Sequence, residues 1–112
     1  MEPCTFCKIV SGEVAVQPVY QDNEFLAFPD RDPKAPVHVL LIPKTHYSSL
    51  MEVQDSALLG RMMAAAQAAA RDLGIAGEGF RAVINNGPDG GQTVYHLHVH
   101  LLGGRFMQWP PG

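Results

Sequence analysis

Near the end of the chain, three histidines alternate with apolar residues in the run His96-Leu97-His98-Val99-His100-Leu101-Leu102. Side chains on an extended strand repeat every second residue. His96, His98 and His100 therefore share one face, and Leu97, Val99 and Leu101 take the other, against which a helix would pack. Imidazoles spaced about 6.5–7 Å along a strand can surround one small anionic group or bind a metal. A purification tag is contiguous and terminal, and this run is neither.

The residues directly upstream bear on that choice. Asn85-Asn86-Gly87-Pro88-Asp89-Gly90-Gly91-Gln92-Thr93 is a glycine-rich turn entering the histidine strand. It can aim backbone N–H groups and the side chains of Gln92 and Thr93 at phosphate oxygens. It lacks the Lys-Ser/Thr of a Walker loop and leads into a strand, not a helix. Together, turn and triad favour a phosphoryl group. Separately, Cys4-Thr5-Phe6-Cys7 spaces two thiols so that they could hold one corner of a tetrahedral zinc, with histidines completing the set. The alternative is a pair of reduced, inert cysteines on a short helix.

The remaining sequence frames a single domain over residues 1–112, long enough to bury one core. Thr5 is placed to cap a short helix over residues 6–11, ended by Gly12. Val19-Tyr20-Gln21 and Phe25-Leu26-Ala27-Phe28 flank Asp22-Asn23 as a hairpin. Val37–Ile42 is apolar on both faces, as a central strand should be, and Pro43 closes it. Asp55 is an N-cap for one long helix. Leu58, Leu59, Met62, Met63, Ala66, Ala69, Ala70 and Leu73 recur in it at helical spacing, and Gly74 stops it. Residues 80–85 and 94–102 complete five strands. The fold class is α+β, with an antiparallel sheet covered on one side.

Eight basic residues against eleven acidic ones give a net charge of −3, which argues against a broad basic face for nucleic acid. No apolar run approaches the length of a membrane span. Met1-Glu2-Pro3 lacks the features of a leader, and two cysteines make no disulfide framework. The expectation is a cytoplasmic protein.

His96-Leu97-His98-Val99-His100-Leu101-Leu102 has the form of the histidine-triad motif, and the chain resembles the Hint branch of that superfamily. The resemblance runs through Phe6-Cys7-Lys8-Ile9, Ala35–Lys44, Asp89–Tyr95 and Gly103-Gly104-Arg105 to the terminal Trp109-Pro110-Pro111-Gly112. It implies a HIT-like fold: a five-stranded antiparallel sheet with one long helix and a short N-terminal helix. The sheet would continue across a homodimer, with the Trp109 tail near the partner's site. It also implies a hydrolase of purine nucleoside 5′-phosphoramidates (AMP or GMP derivatives) that works through a nucleotidyl-histidine, with no cofactor needed for catalysis.

Carried over by residue, His98 is the nucleophile. It would be oriented by a backbone carbonyl of its own strand, with His38 further back. His100 holds a phosphate oxygen, Gln92 and Thr93 contact the phosphate or leaving group, and Asn85 and Gly91 lie on the phosphate side. Asp30 accepts the ribose hydroxyls, while Phe6, Ile9 and Phe28 form the base pocket. Thr93 departs from the serine common in the family; the hydroxyl remains, and its extra methyl narrows the leaving-group space. Cys4, Cys7, His46 and His96 are the implied ligands of a structural zinc. Two other functions fit the same residues: hydrolysis of dinucleoside polyphosphates, and AMP binding without turnover by an adaptor.

Overall fold

The computed structural model describes residues 4–112; Met1–Pro3, read above as lacking a leader, lie outside the described residues. Helix α1 (Thr5–Val10) precedes a hairpin of β1 (Tyr20–Gln21) and β2 (Phe25–Pro29). Strand β3 (Val37–Pro43), a short 3-10 turn over Leu50–Glu52, and helix α2 (Ser56–Asp72) follow. Strands β4 (Phe80–Val83) and β5 (Val99–Gly103) complete one antiparallel sheet in the order β1-β2-β3-β5-β4.

The hairpin forms because Asp22 bends the chain onto itself. Its Oδ1 accepts the backbone N–H groups of Glu24 and Phe25 at 2.8 and 2.7 Å. Helix α2 starts where Asp55 Oδ1 accepts the Ala57 N–H at 3.0 Å, and it ends at Gly74, whose φ of +75° few other residues adopt at low cost. Leu58, Met62, Ala65, Ala66 and Ala69 of that helix pack on Phe25, Ala27, Val39, Leu41, Leu97, Val99 and Leu101. Small alanines let the helix approach the sheet closely. Met63 is 40% exposed and Ala65 takes the core position, so the buried stripe is rotated from the one expected.

The sheet is covered on both sides, not one. Leu26, Phe28, Leu40 and Ile42 point away from α2 into a second core with Phe6 and Ile9 of α1. This explains why the middle of β2 and most of β3 are buried throughout.

Among the differences from the expected element boundaries, three have a local physical cause. Helix α1 is capped by Cys4, not Thr5: the Cys4 Sγ accepts the Cys7 N–H at 3.4 Å. The last strand begins at Val99, not at residue 94. The β3–β5 register would place Pro43 opposite Leu97, and a proline has no N–H to extend the ladder. The Leu97 N–H goes to the Tyr47 carbonyl instead, at 2.7 Å. Strand β4 stops at Val83, because Asn85 turns its side chain back to the Gly90 carbonyl.

Candidate active site

A pocket of about 570 Å³ opens on the sheet face opposite α2, within the size range of small-ligand sites. Phe6, Ile9, Phe28, Asp30, Asn85, Gly91, Thr93, His98 and His100 all line it. Gln92, His38 and His96 do not, although each acts behind the wall.

His98 is 7% exposed, and its Nδ1 lies 2.7 Å from the His96 carbonyl oxygen. A carbonyl only accepts, so Nδ1 carries the proton and Nε2 is left with a free lone pair. The Phe6 ring stands edge-on to the imidazole at 5.3 Å between centroids, and His100 flanks it at 5.0 Å.

The same logic fixes two more tautomers. The Lys34 backbone N–H donates to His38 Nδ1 at 3.0 Å, so the His38 proton sits on Nε2. That N–H faces His100 Nδ1 at 3.0 Å, with Asp30 Oδ2 at 3.4 Å. His100 Nδ1 must then accept, which puts the His100 proton on Nε2. The Lys34 loop is itself held by Arg105, whose Nη2 donates to the Lys34 carbonyl at 3.0 Å. Asp30, His38 and His100 are thus a hydrogen-bonded relay rather than a cation site, because a ligating His38 Nε2 would need its proton on the nitrogen that Lys34 already occupies. This corrects the expectation that His38 stands behind His98. It orients His100, its diagonal neighbour on the same sheet face.

Burial lowers the proton affinity of both rings in this relay. It pushes His100 down to about 4, with His98 and His38 adding to the effect and Asp30 opposing it; His38 is lowered by burial against the pull of Asp30. A ring lowered in the folded chain takes up its proton on unfolding. The stability it contributes is therefore whole above about pH 6.5 and is lost as the pH falls toward about 4. Thermal midpoints measured across that window should fall with acidification, and His100→Gln should flatten the slope. Parallel slopes for the two proteins would rule out His100 as the source.

The glycine-rich turn serves the site differently from the expectation. Gln92 is buried, and its side chain is spent on backbone: Oε1 accepts the Gly87 N–H at 2.9 Å, while Nε2 donates to the Ser48 and Val94 carbonyls at 2.7 and 3.1 Å. The N–H groups of Gly91 and Gln92 close the turn on Pro88 and Gly87. Gln92 thus shapes the loop and is not free to contact a phosphate. Gly90 is required there, since a Cβ would collide with the Asn86 carbonyl oxygen, and Gly91 holds a φ of +76°. Thr93 is the exposed side chain that the turn delivers to the pocket.

Asp30 combines two roles. Its Oδ1 accepts the Asp32 N–H at 2.8 Å, as a turn aspartate does, while the residue also lines the pocket. Sequence reasoning missed Thr5, Val14, Val16, Arg31 and Leu40 in the lining. Leu40 had a signal, lying two residues from His38 on the same face of β3; Arg31 had none beyond its place next to Asp30.

His96 leaves the triad for a second cluster. Fully buried, it donates from Nε2 to the Pro43 carbonyl at 2.8 Å, so its Nδ1 lone pair points elsewhere. That Nδ1 lies 3.3 Å from Cys4 Sγ, 3.7 Å from Cys7 Sγ and 3.1 Å from His46 Nδ1, and Cys7 Sγ is 3.4 Å from His46 Nδ1. Tetrahedral zinc, with bonds of about 2.0 Å to nitrogen and 2.3 Å to sulfur, separates its donors by about 3.3–3.8 Å. The four residues fit such an ion. Burial, with Cys4 alongside, pushes the Cys7 thiol up and so disfavours the thiolate, the form that a cation between the sulfurs would stabilise.

Comparison with known proteins agrees with this geometry. The HIT domain family matches residues 11–107. An adenylylsulfatase HINT1 of Arabidopsis thaliana is 49% identical over 98% of this chain and 77% of its own. A 14 kDa zinc-binding protein of Brassica juncea is 49% identical over 96% of this chain and 97% of its own. The crystal structure of a HIT family hydrolase from Legionella pneumophila Philadelphia 1 superposes with a TM-score of 0.93 at 46% identity, covering 98% of this chain and all of that one. Histidine run, two-cored sheet and relatives agree: the chain belongs to the HIT domain family, in its Hint branch.

Proposed function

We propose that the chain hydrolyses purine nucleoside 5′-phosphoramidates and related AMP derivatives, with His98 as the nucleophile. The observation that carries this reading is the His98 Nδ1–H fixed on the His96 carbonyl at 2.7 Å, which leaves Nε2 nucleophilic at the pocket. His98 Nε2 attacks the 5′-phosphorus and the phosphorus–nitrogen bond breaks, the amine leaving with the bond's electron pair and taking one proton from solvent. Water then attacks the same phosphorus and releases one proton to solvent, the histidine–phosphorus bond breaks with its electron pair returning to Nε2, and the nucleoside monophosphate departs.

His100 presents its Nε2–H to a non-bridging oxygen, where charge develops in the transition state. It stays a neutral donor over the working pH range because burial holds its proton affinity down. The Thr93 hydroxyl faces the leaving group, and Asn85 and Gly91 border the phosphate side. Asp30 receives the ribose hydroxyls, and Phe6, Ile9 and Phe28 clasp the purine. A relative named an adenylylsulfatase supports an adenylyl phosphorus as the common reacting centre, with the leaving group open to variation.

Cys4, Cys7, His46 and His96 would hold a structural zinc, and a relative named a zinc-binding protein supports that reading. Bound there, the ion supplies a crosslink between α1 and the segment before β5. A homodimer fits the open edge of β4 and the exposed Phe106 and Trp109, at 85% and 81%. No helix among the described residues is long and apolar enough to cross a membrane.

The test is turnover of adenosine 5′-phosphoramidate. AMP should accumulate, and protein quenched in alkali should carry one nucleotidyl group by mass spectrometry. Tight AMP binding without turnover would replace the hydrolase reading with that of a nucleotide-binding adaptor.

A further inference from the structure

The Cys/His cluster touches the pocket by two routes. The first is through α1, a helix of six residues that is far too short to hold its shape alone. Thr5 and Phe6, both in the pocket wall, sit between Cys4 and Cys7. Phe6 in turn meets Phe28 edge-on at 5.6 Å and His98 at 5.3 Å. The second route is His96 itself. Its ring faces the two sulfurs and His46, while its carbonyl oxygen holds the His98 Nδ1–H.

We infer that zinc on Cys4, Cys7, His46 and His96 and a nucleotide in the pocket bind cooperatively, each tightening the other. The inference rests on the function and metal readings above and adds a coupling between the two sites. The Cys4 and Cys7 contacts fix the wall that carries Phe6, so a nucleotide entering the loaded chain no longer has to order that wall. Binding then gains what ordering would have cost. Linkage makes the effect reciprocal: if zinc raises nucleotide affinity by some factor, the nucleotide raises zinc affinity by the same factor.

Two titrations on the full chain test this. Calorimetry gives AMP affinity for the zinc-loaded and the chelator-stripped protein, and a chromophoric chelator gives zinc affinity with and without saturating AMP. Both affinities should change by one common factor, on the order of tenfold. AMP should also slow zinc loss from the loaded chain to the chelator. Phe6→Leu keeps all four ligands; it should preserve zinc affinity in the absence of AMP while shrinking the common factor. A cluster with only a local structural role would leave that factor unchanged.

Equal AMP affinity for loaded and stripped protein overturns the coupling and leaves the functional reading standing. Failure of the loaded chain to bind AMP overturns the pocket reading and the coupling with it. Absence of stoichiometric zinc binding overturns the metal reading and, again, the coupling. A stripped chain that loses its far-ultraviolet circular dichroism signal overturns it too, because the effect would then be global folding rather than an ordered wall.

Discussion

His98→Ala should lower turnover of adenosine 5′-phosphoramidate by roughly 10⁴-fold or more, the scale seen when a covalent nucleophile is removed. The loss should appear in kcat, with AMP still bound, because the proposed base and ribose contacts fall to Phe6, Ile9, Phe28 and Asp30 in the pocket wall rather than to the imidazole. The protein should still fold. Truncation leaves the His96 carbonyl without its donor, at a cost of about 1–3 kcal/mol against a total stability of about 5–15 kcal/mol. Steady-state kinetics with AMP calorimetry on the same preparation make the measurement. Residual turnover within tenfold of wild type would remove His98 from the mechanism. Loss of AMP binding along with turnover would mean that the ring supports the pocket rather than reacts.

The second large effect has the opposite signature. Leu41 is completely buried on the α2 side of β3, packed among residues such as Ala27, Val99 and Met62. Leu41→Ala should destabilise the chain by about 3 kcal/mol, lost transfer energy plus the cavity left behind. The thermal midpoint should drop by about 10–15 °C. Because Leu41 points away from the pocket, kcat/KM well below the new midpoint should stay near wild type. A stability loss below about 1 kcal/mol would show that α2 collapses onto the gap. A parallel loss of activity would show that the two cores are not independent.

Much of this arrangement is legible in local sequence. The alternation from Leu97 to Leu101 divides helix side from pocket side, and Asp22, Asp55 and Gly74 mark their turn, cap and stop through short-range chemistry. The cluster of Cys4, Cys7, His46 and His96 follows from a resemblance to relatives rather than from spacing, since three separate stretches of chain supply it. What local pattern does not carry is register. That His38 reaches His100 rather than His98 depends on β3 pairing Leu40 with His100, a relation between residues sixty positions apart. Gln92 departs from its expected phosphate contact for a similar reason. Its partners Ser48 and Gly87 lie on a neighbouring loop and at the far side of its own turn, and nothing in Gly-Gly-Gln-Thr says that the amide folds inward.

His96 bonds from three of its atoms to three different parts of the molecule: Nε2 to Pro43, Nδ1 to the cysteine cluster, and the carbonyl oxygen to His98. Side-chain substitution removes the first two and spares the third, which belongs to the backbone. An alanine scan ranked by activity would therefore score His96 among the reacting residues, although its ring never borders the pocket. In this fold the histidine that heads the triad is a keystone, and its removal would mimic a chemical defect through masonry alone.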